Sequence, residues 1–176
     1  MKNSDYTTSA FKHVLAWLKN KNMQTSKIAM QKALFYLQEK GLPLRLDFEP
    51  YSYGPFSRQV METASELERA GEIFVDRTDY TPGPGFADTL PEEDRREINA
   101  HLERFCELLG HDFSFDNLEL WGTVLYCIQA LQENGMEADR NSVIHEVEQW
   151  KGKKYARPAI NAAYDAMAEE FVNTGS

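Results

Sequence analysis

Leu118-Glu119-Leu120-Trp121-Gly122-Thr123-Val124-Leu125-Tyr126-Cys127-Ile128-Gln129-Ala130-Leu131 is apolar on two helical faces at once. Leu118, Trp121, Leu125 and Ile128 recur on one face, and Leu120, Val124, Cys127 and Leu131 on the other. Such a helix has no side left for water, so other elements must pack around it. It is the candidate central helix, able to join both halves of the chain in one core. Asp116 and Glu119 form a capping-box pattern that would open it, with Asp in the usual Ser/Thr place.

Downstream, Val143, Val147 and Trp150 mark a helix ended by Lys151-Gly152. A last helix starts near Pro158 and turns Ile160, Ala163, Tyr164, Met167 and Phe171 inward. Upstream, Pro91 at the first helical position is followed by Glu92, Glu93 and Asp94, which suit the positive end of a helix. Ile98, Leu102, Phe105 and Leu108 form its apolar face.

The first ninety residues read differently. Phe11, Val14, Leu15 and Leu18 predict a helix over 6–20, and Met30, Ala33, Leu34 and Leu37 a second over 25–40. Thr25 or Ser26 caps the second, and Gly41 closes it. Leu44-Arg45-Leu46-Asp47-Phe48-Glu49 alternates like a half-buried strand, bounded by Pro50 and Gly54-Pro55. A third helix is expected over 55–70, burying Val60, Ala64 and Leu67. Glu72-Ile73-Phe74-Val75 then reads as a strand, with Phe86-Ala87-Asp88-Thr89-Leu90 as its hairpin partner. Thr81-Pro82-Gly83-Pro84-Gly85 would be a mobile tip between them.

The expected class is α+β, predominantly α, with a small antiparallel sheet. A winged-helix-like half (1–90) would pack on a helical half (91–176), forming one domain over 1–176. No internal repeat appears.

Composition bounds the function. With 42 % hydrophobic and 12 % aromatic residues in 176, a core can form without disulfides or metals. Charged residues reach 27 %, and no apolar run approaches the ~18–20 residues of a spanning helix. Met1–Ala10 shows no signal-peptide core. Cys106 and Cys127 belong to no Cys-x-x-Cys and read as small core residues. The expectation is a cytoplasmic protein without cofactor, metal or membrane partner.

Net charge is -9, unevenly spread. Residues 1–60 hold nine Lys/Arg against four Asp/Glu, and residues 61–149 hold six against twenty-one. Either a basic docking face lies beside an acidic body, or these are solvated helix faces.

Catalytic patterns are missing. There is no phosphate-binding loop, dinucleotide fingerprint or nucleophile elbow. His145-Glu146-Val147-Glu148-Gln149 starts like a zinc-protease helix, but Gln149 stands where the second ligand belongs, so His145 reads as a surface residue. His13, His101 and His111 have no metal-spaced partner. The expectation is a protein that is not an enzyme.

Two stretches are more specific than composition requires. Met30-Gln31-Lys32-Ala33-Leu34-Phe35-Tyr36-Leu37 lies on the second helix, and Phe48-Glu49-Pro50-Tyr51-Ser52-Tyr53-Gly54-Pro55-Phe56-Ser57 follows it. In order and spacing across residues 8–75 they resemble the SocA-like Panacea antitoxin domains and the related YwgA-like proteins. The long Pro/Gly stretch and the acidic middle depart from that pattern. The resemblance implies a small prokaryotic protein that acts by binding another protein, either a toxin or a client delivered to a protease. A phage or mobile-element accessory protein is a further alternative.

The residues support two readings of this corner. Gly54 supplies a backbone conformation closed to other residues, and Pro55 presets a helical turn. Tyr51, Tyr53 and Phe56 then build either a core corner or an aromatic ledge for a partner. Lys32 and Tyr36, one turn apart, border that ledge or else cover the core. Lys32, Tyr36, Tyr51, Tyr53, Gly54 and Pro55 are therefore the candidate partner-binding residues.

The rival is a winged-helix transcriptional regulator. Its reading helix and wing, residues 57–90, hold Arg58, Arg69 and Arg77 against seven carboxylates. Such a surface repels phosphate, so nucleic acid is disfavoured as a partner. Lys12, Lys19, Lys21, Lys27 and Lys32 offer a separate route to DNA. A homodimer remains open.

Overall fold

The structure is a computed structural model and describes residues 3–172. In chain order the elements are α1 (Asn3–Asn20), α2 (Lys27–Glu39), β1 (Glu49–Tyr51), β2 (Gly54–Phe56) and α3 (Arg58–Arg69). Then follow β3 (Ile73–Val75), β4 (Tyr80–Pro82), α4 (Glu92–Leu108), α5 (Phe115–Glu133), α6 (Arg140–Lys151) and α7 (Arg157–Phe171). The fold is α+β and predominantly α, with two separate two-stranded antiparallel sheets.

Helix α5 takes the central place that its double apolar face requires. It packs against α2, α6, α7 and β2, and Leu118, Val124 and Ile128 are wholly buried. A single hydrophobic cluster runs from Ala10 and Phe11 on α1 to Met167 on α7. Tyr36 stacks on Phe105 of α4 at 4.7 Å, and Phe11 meets the ring of Tyr80 edge-on at 5.5 Å. The Tyr36–Phe105 stack, with the packing of α2 and β2 on α5, ties the first half to the helical half, while Phe11–Tyr80 closes the first half on itself.

The first half runs α1, α2, β1–β2, α3, β3–β4, so a hairpin separates α2 from α3. A single antiparallel bridge, Ser26 to Asp79, forms just before α2. Tyr80 donates its N–H to Thr25 O, and Lys27 donates to Thr78 O, so the link between α1 and α2 is stitched to the β3–β4 hairpin. Ser26 also caps α2 by accepting the Ala29 N–H at 3.1 Å.

Six local expectations are corrected. Residues 44–48 alternate in burial but form no strand, because Arg45 has φ +55° and breaks the extended path. Their main chain is satisfied by side chains instead: Gln38 exchanges two hydrogen bonds with Leu46, at 2.7 and 2.8 Å. Pro55 starts no helix. It lies in β2 opposite Pro50 of β1, where a pair lacking both N–H groups can sit only at a non-hydrogen-bonded rung. α3 begins three residues later, at Arg58.

The partner of β3 is β4, not residues 86–90, with Ile73 opposite Pro82 and Val75 opposite Tyr80. The turn is Asp76-Arg77-Thr78-Asp79, and the Pro/Gly stretch is no tip. Gly83 and Gly85 donate N–H groups to Glu72 O and Gly71 O, lying against the end of α3. Finally, α5 opens at Phe115 with Ser114 as N-cap and no side-chain cap bond. The expected Asp116/Glu119 box does not form, because Glu119 turns inward. Likewise Pro91 is the N-cap of α4 rather than its first helical residue.

Candidate functional site

The β1–β2 hairpin turns through Ser52 and Tyr53, and Gly54 leaves the turn at φ +94°. Three side chains from distant elements hold its main chain. Lys32 Nζ donates to Pro55 O at 2.8 Å, Trp150 Nε1 to Tyr51 O at 3.2 Å, and Lys151 Nζ to Ser52 O at 2.5 Å. Gln31 adds a bidentate clamp on Ser57, its amide donating to Ser57 O at 3.0 Å and accepting Ser57 N–H at 2.9 Å. Gln31 and Gln38 lie two turns apart on α2. Each amide thus does for an unpaired segment what a neighbouring strand would do.

Lys32 is only 4 % exposed. Its stem threads between two glycines: a Cβ on Gly122 would stand 2.8 Å from Lys32 Cδ, and one on Gly54 3.2 Å from Lys32 Cε. Neither position accepts a side chain without displacing the lysine. Burial pushes the Lys32 pKa down to about 7; the charge of Glu119 works against that shift and that of Lys151 adds to it.

Glu119 is fully buried and gathers the other cations. Its carboxylate receives Lys154 at 2.8 Å, the Tyr155 hydroxyl at 2.5 Å, and lies 3.3 Å from Lys151 Nζ. Burial alone would raise its pKa. The hydrogen bonds from Lys154 and Tyr155 and the charge of Lys151 overcome this and hold it below the usual carboxylate range. Lys151 joins the two arrays, touching both Glu119 and the hairpin turn.

The candidate residues therefore separate into two layers. Gly54 and Pro55 are buried, Lys32 lies beneath them, and Tyr36 is wholly buried in the core against Phe105 and Phe171. As a free ledge, Lys32 and Tyr36 are corrected: the helix face they share points into the molecule. Tyr51 and Tyr53 are the exposed layer, at 45 % and 57 %. Tyr51 leans on Phe56, and Tyr53 meets Phe115 edge-on at 5.0 Å. The corner is core below and aromatic surface above.

Beside Tyr53 opens a groove of about 360 Å³. Ile28, Tyr53, Phe56, Phe113 and Phe115 form its apolar walls, with Gln31 and Lys32 at the buried end. Phe113, Phe115 and Ile28 were not singled out from sequence. A signal existed for Phe115, an aromatic on the polar entry to α5, but nothing local places it opposite Tyr53.

The other polar clusters are closed by hydrogen bonds or burial. His13 Nδ1 lies 2.8 Å from Asp88 and Nε2 2.6 Å from Asn99, while Ser9 on the same helix pairs with Thr89. No ring nitrogen is left for the serine, so a Ser-His-Asp relay is not assembled there. Burial lifts the thiols of Cys106 and Cys127 to about 11 and about 12, which suppresses the thiolate a nucleophile needs. Among the described residues no group of three His, Cys, Asp or Glu is placed to hold a metal, and no helix is long and apolar enough to cross a membrane. No protein-family model matches the chain, and no curated protein matches it either.

Proposed function

We propose that the chain is a prokaryotic, cytoplasmic protein-binding module that works as antitoxins and proteolytic adaptors do, by gripping another protein. The partner class is a toxin, or a client to be handed to a protease. The observation that carries this reading is the pair of exposed rings, Tyr53 and Phe115: Tyr53 stands on a hairpin whose main chain is held by buried Lys32, by Lys151 and by Trp150, and Phe115 at the start of α5 meets it edge-on.

Large exposed aromatics are favoured anchors in interfaces. A surface that is already rigid loses little conformational entropy when it binds. The elaborate support beneath Tyr51 and Tyr53 is explained by that need more readily than by stability, since buried ionic arrays are seldom the most stable choice.

The regulator reading has one observation in its favour, a third helix followed by a hairpin, as in a winged helix. Against it, α3 turns Glu62, Glu66 and Glu68 to solvent beside only Arg58 and Arg69. A reading helix of that sign repels the duplex.

The test is co-purification from the native host with wild-type, Tyr51→Ala and Tyr53→Ala proteins of matched thermal stability. Loss of the same bound protein in both variants is expected. Retention at wild-type affinity would move the binding surface elsewhere. Sub-micromolar, steeply salt-sensitive binding to mixed-sequence duplex DNA would instead favour the regulator.

A further inference from the structure

We infer that the groove beside Tyr53 receives an acidic peptide segment, with one bulky apolar side chain seated among the aromatic walls and carboxylates over the rim. The inference rests on the protein-binding reading and adds the chemistry of what is bound.

Charge carries it. The chain has 28 Asp/Glu against 19 Lys/Arg, yet no Asp or Glu lines the groove, while Lys27, Lys32 and Arg77 all do. Most cations of this protein are already committed: Lys12 to Glu72, Lys40 and Arg104 to Glu170, Lys151 and Lys154 to Glu119. Lys27 and Arg77 have no ion-pair partner among the described residues. Lys27 lies over the Tyr80 ring at 5.8 Å, and Arg77 stands exposed in the β3–β4 turn. The neighbouring Asp79 makes no ion pair with either of them among the described residues; its carboxylate accepts from Gln24.

The buried end repeats the theme. Lys32 uses one of its three donors on Pro55 O, and no other acceptor for it is found among the described residues. An anion near this end would therefore meet an unsaturated donor.

Size and sign choose the occupant. A space of about 360 Å³ takes a large side chain with its flanking main chain and is too small for a domain surface. A nucleic-acid strand is the weaker fit. It needs a run of cations along its backbone, whereas the groove brings only Lys27, Lys32 and Arg77 around a short apolar space.

The experiment is a fluorescence-anisotropy titration of the full chain with fluorescein-labelled Gly-Ser-Asp-Glu-Trp-Leu-Asp-Glu-Ser-Gly. Two comparison peptides carry Lys for every acid, or Gly for Trp and Leu. The acidic Trp peptide should bind saturably and about tenfold more tightly than either comparison. Arg77→Glu and Lys27→Glu should each weaken it several-fold, and Phe115→Ala should abolish it, all with unchanged melting temperatures.

Equal affinity for the basic peptide overturns the inference, as does no saturable binding or binding that survives Phe115→Ala. So does displacement by oligothymidylate, or a dimer that Phe115→Ala converts to monomer, since a second copy would then fill the groove. The two readings fail separately. If peptide binding is absent but partner capture still depends on Tyr53, only the acidic chemistry is wrong. If capture ignores Tyr51 and Tyr53, the module reading itself falls.

Discussion

The two hairpins are the same secondary structure built by opposite means. β1–β2 is held from outside by Lys32, Trp150 and Lys151, which reach its main chain from α2 and the end of α6. β3–β4 is held mainly by main chain: its turn closes on itself from Asp76 N–H to Asp79 O, and its outer edge is bound to residues 25–27. The first shows both its tyrosines to solvent. The second buries Ile73 and Tyr80 and leaves Phe74 exposed. A hairpin that anchors itself by burying its own side chains has fewer left to offer a partner. One anchored through its carbonyls keeps its aromatics free.

That contrast is most severely tested at Glu119. Glu119→Ala strands Lys151, Lys154 and Tyr155 around an empty buried site, and removing one partner of a buried ion pair costs about 3–5 kcal/mol. Urea unfolding should show a loss of that order. In native-state hydrogen exchange the opening should be confined to β1–β2, with β3–β4 protection falling only as global stability falls. Equal loosening of both hairpins would show that they are not independently anchored.

Gln31→Ala comes next. It leaves the buried N–H and C=O of Ser57 unpaired, a loss of about 1–3 kcal/mol. The contrast sharpens if Gln24→Ala, whose exposed amide bonds only Asp79 of the other hairpin, changes stability by less than about 0.5 kcal/mol.

Lys32 adds a pH signature to the first hairpin alone. Its folded pKa of about 7 lies below the unfolded value near 10.4. The unfolded state therefore binds more protons between those limits, and stability rises with pH across that window. Relative to Lys32→Met, the wild type should gain about 1 kcal/mol from pH 7 to 8. Denaturant midpoints at the two pH values measure it, and a flat difference would mean that the ammonium is not desolvated.

The smallest stability effects fall on the exposed rings. Tyr53→Ala and Phe74→Ala should each shift stability by less than about 0.5 kcal/mol. Only Tyr53→Ala should impair capture of the partner. Unfolding of the Tyr53 variant would return the corner to a purely structural role.

Much of the fold was legible because helical periodicity is a property of the local chain. The apolar faces of α1, α2, α4 and α5, the Gly41 stop and the Ser26 cap all depend on residues within two turns of one another. Strands were harder, since a strand is made by its partner. Residues 44–49 had the right alternation, but φ at Arg45 and the amide of Gln38 gave them a different partner. Residues 86–90 lost their place to 80–82, which are nearer in sequence and close a shorter turn.

By itself the sequence determined the helical class, the central helix, the special corner at 51–55 and the missing catalytic patterns. Which way the polar residues of that corner point was decided by tertiary structure alone. Lys32 lies inward because Gly54 and Gly122, 22 and 90 residues away, leave a channel for its stem. Glu119 is buried because Lys151, Lys154 and Tyr155 arrive beside it from the end of α6 and the following turn. The physical reason is the range of the forces involved. An apolar residue is driven from water wherever the chain takes it, so its burial follows from its type and spacing. A charge is tolerated inside only where partners converge to replace its water, and those partners are assembled by the whole fold.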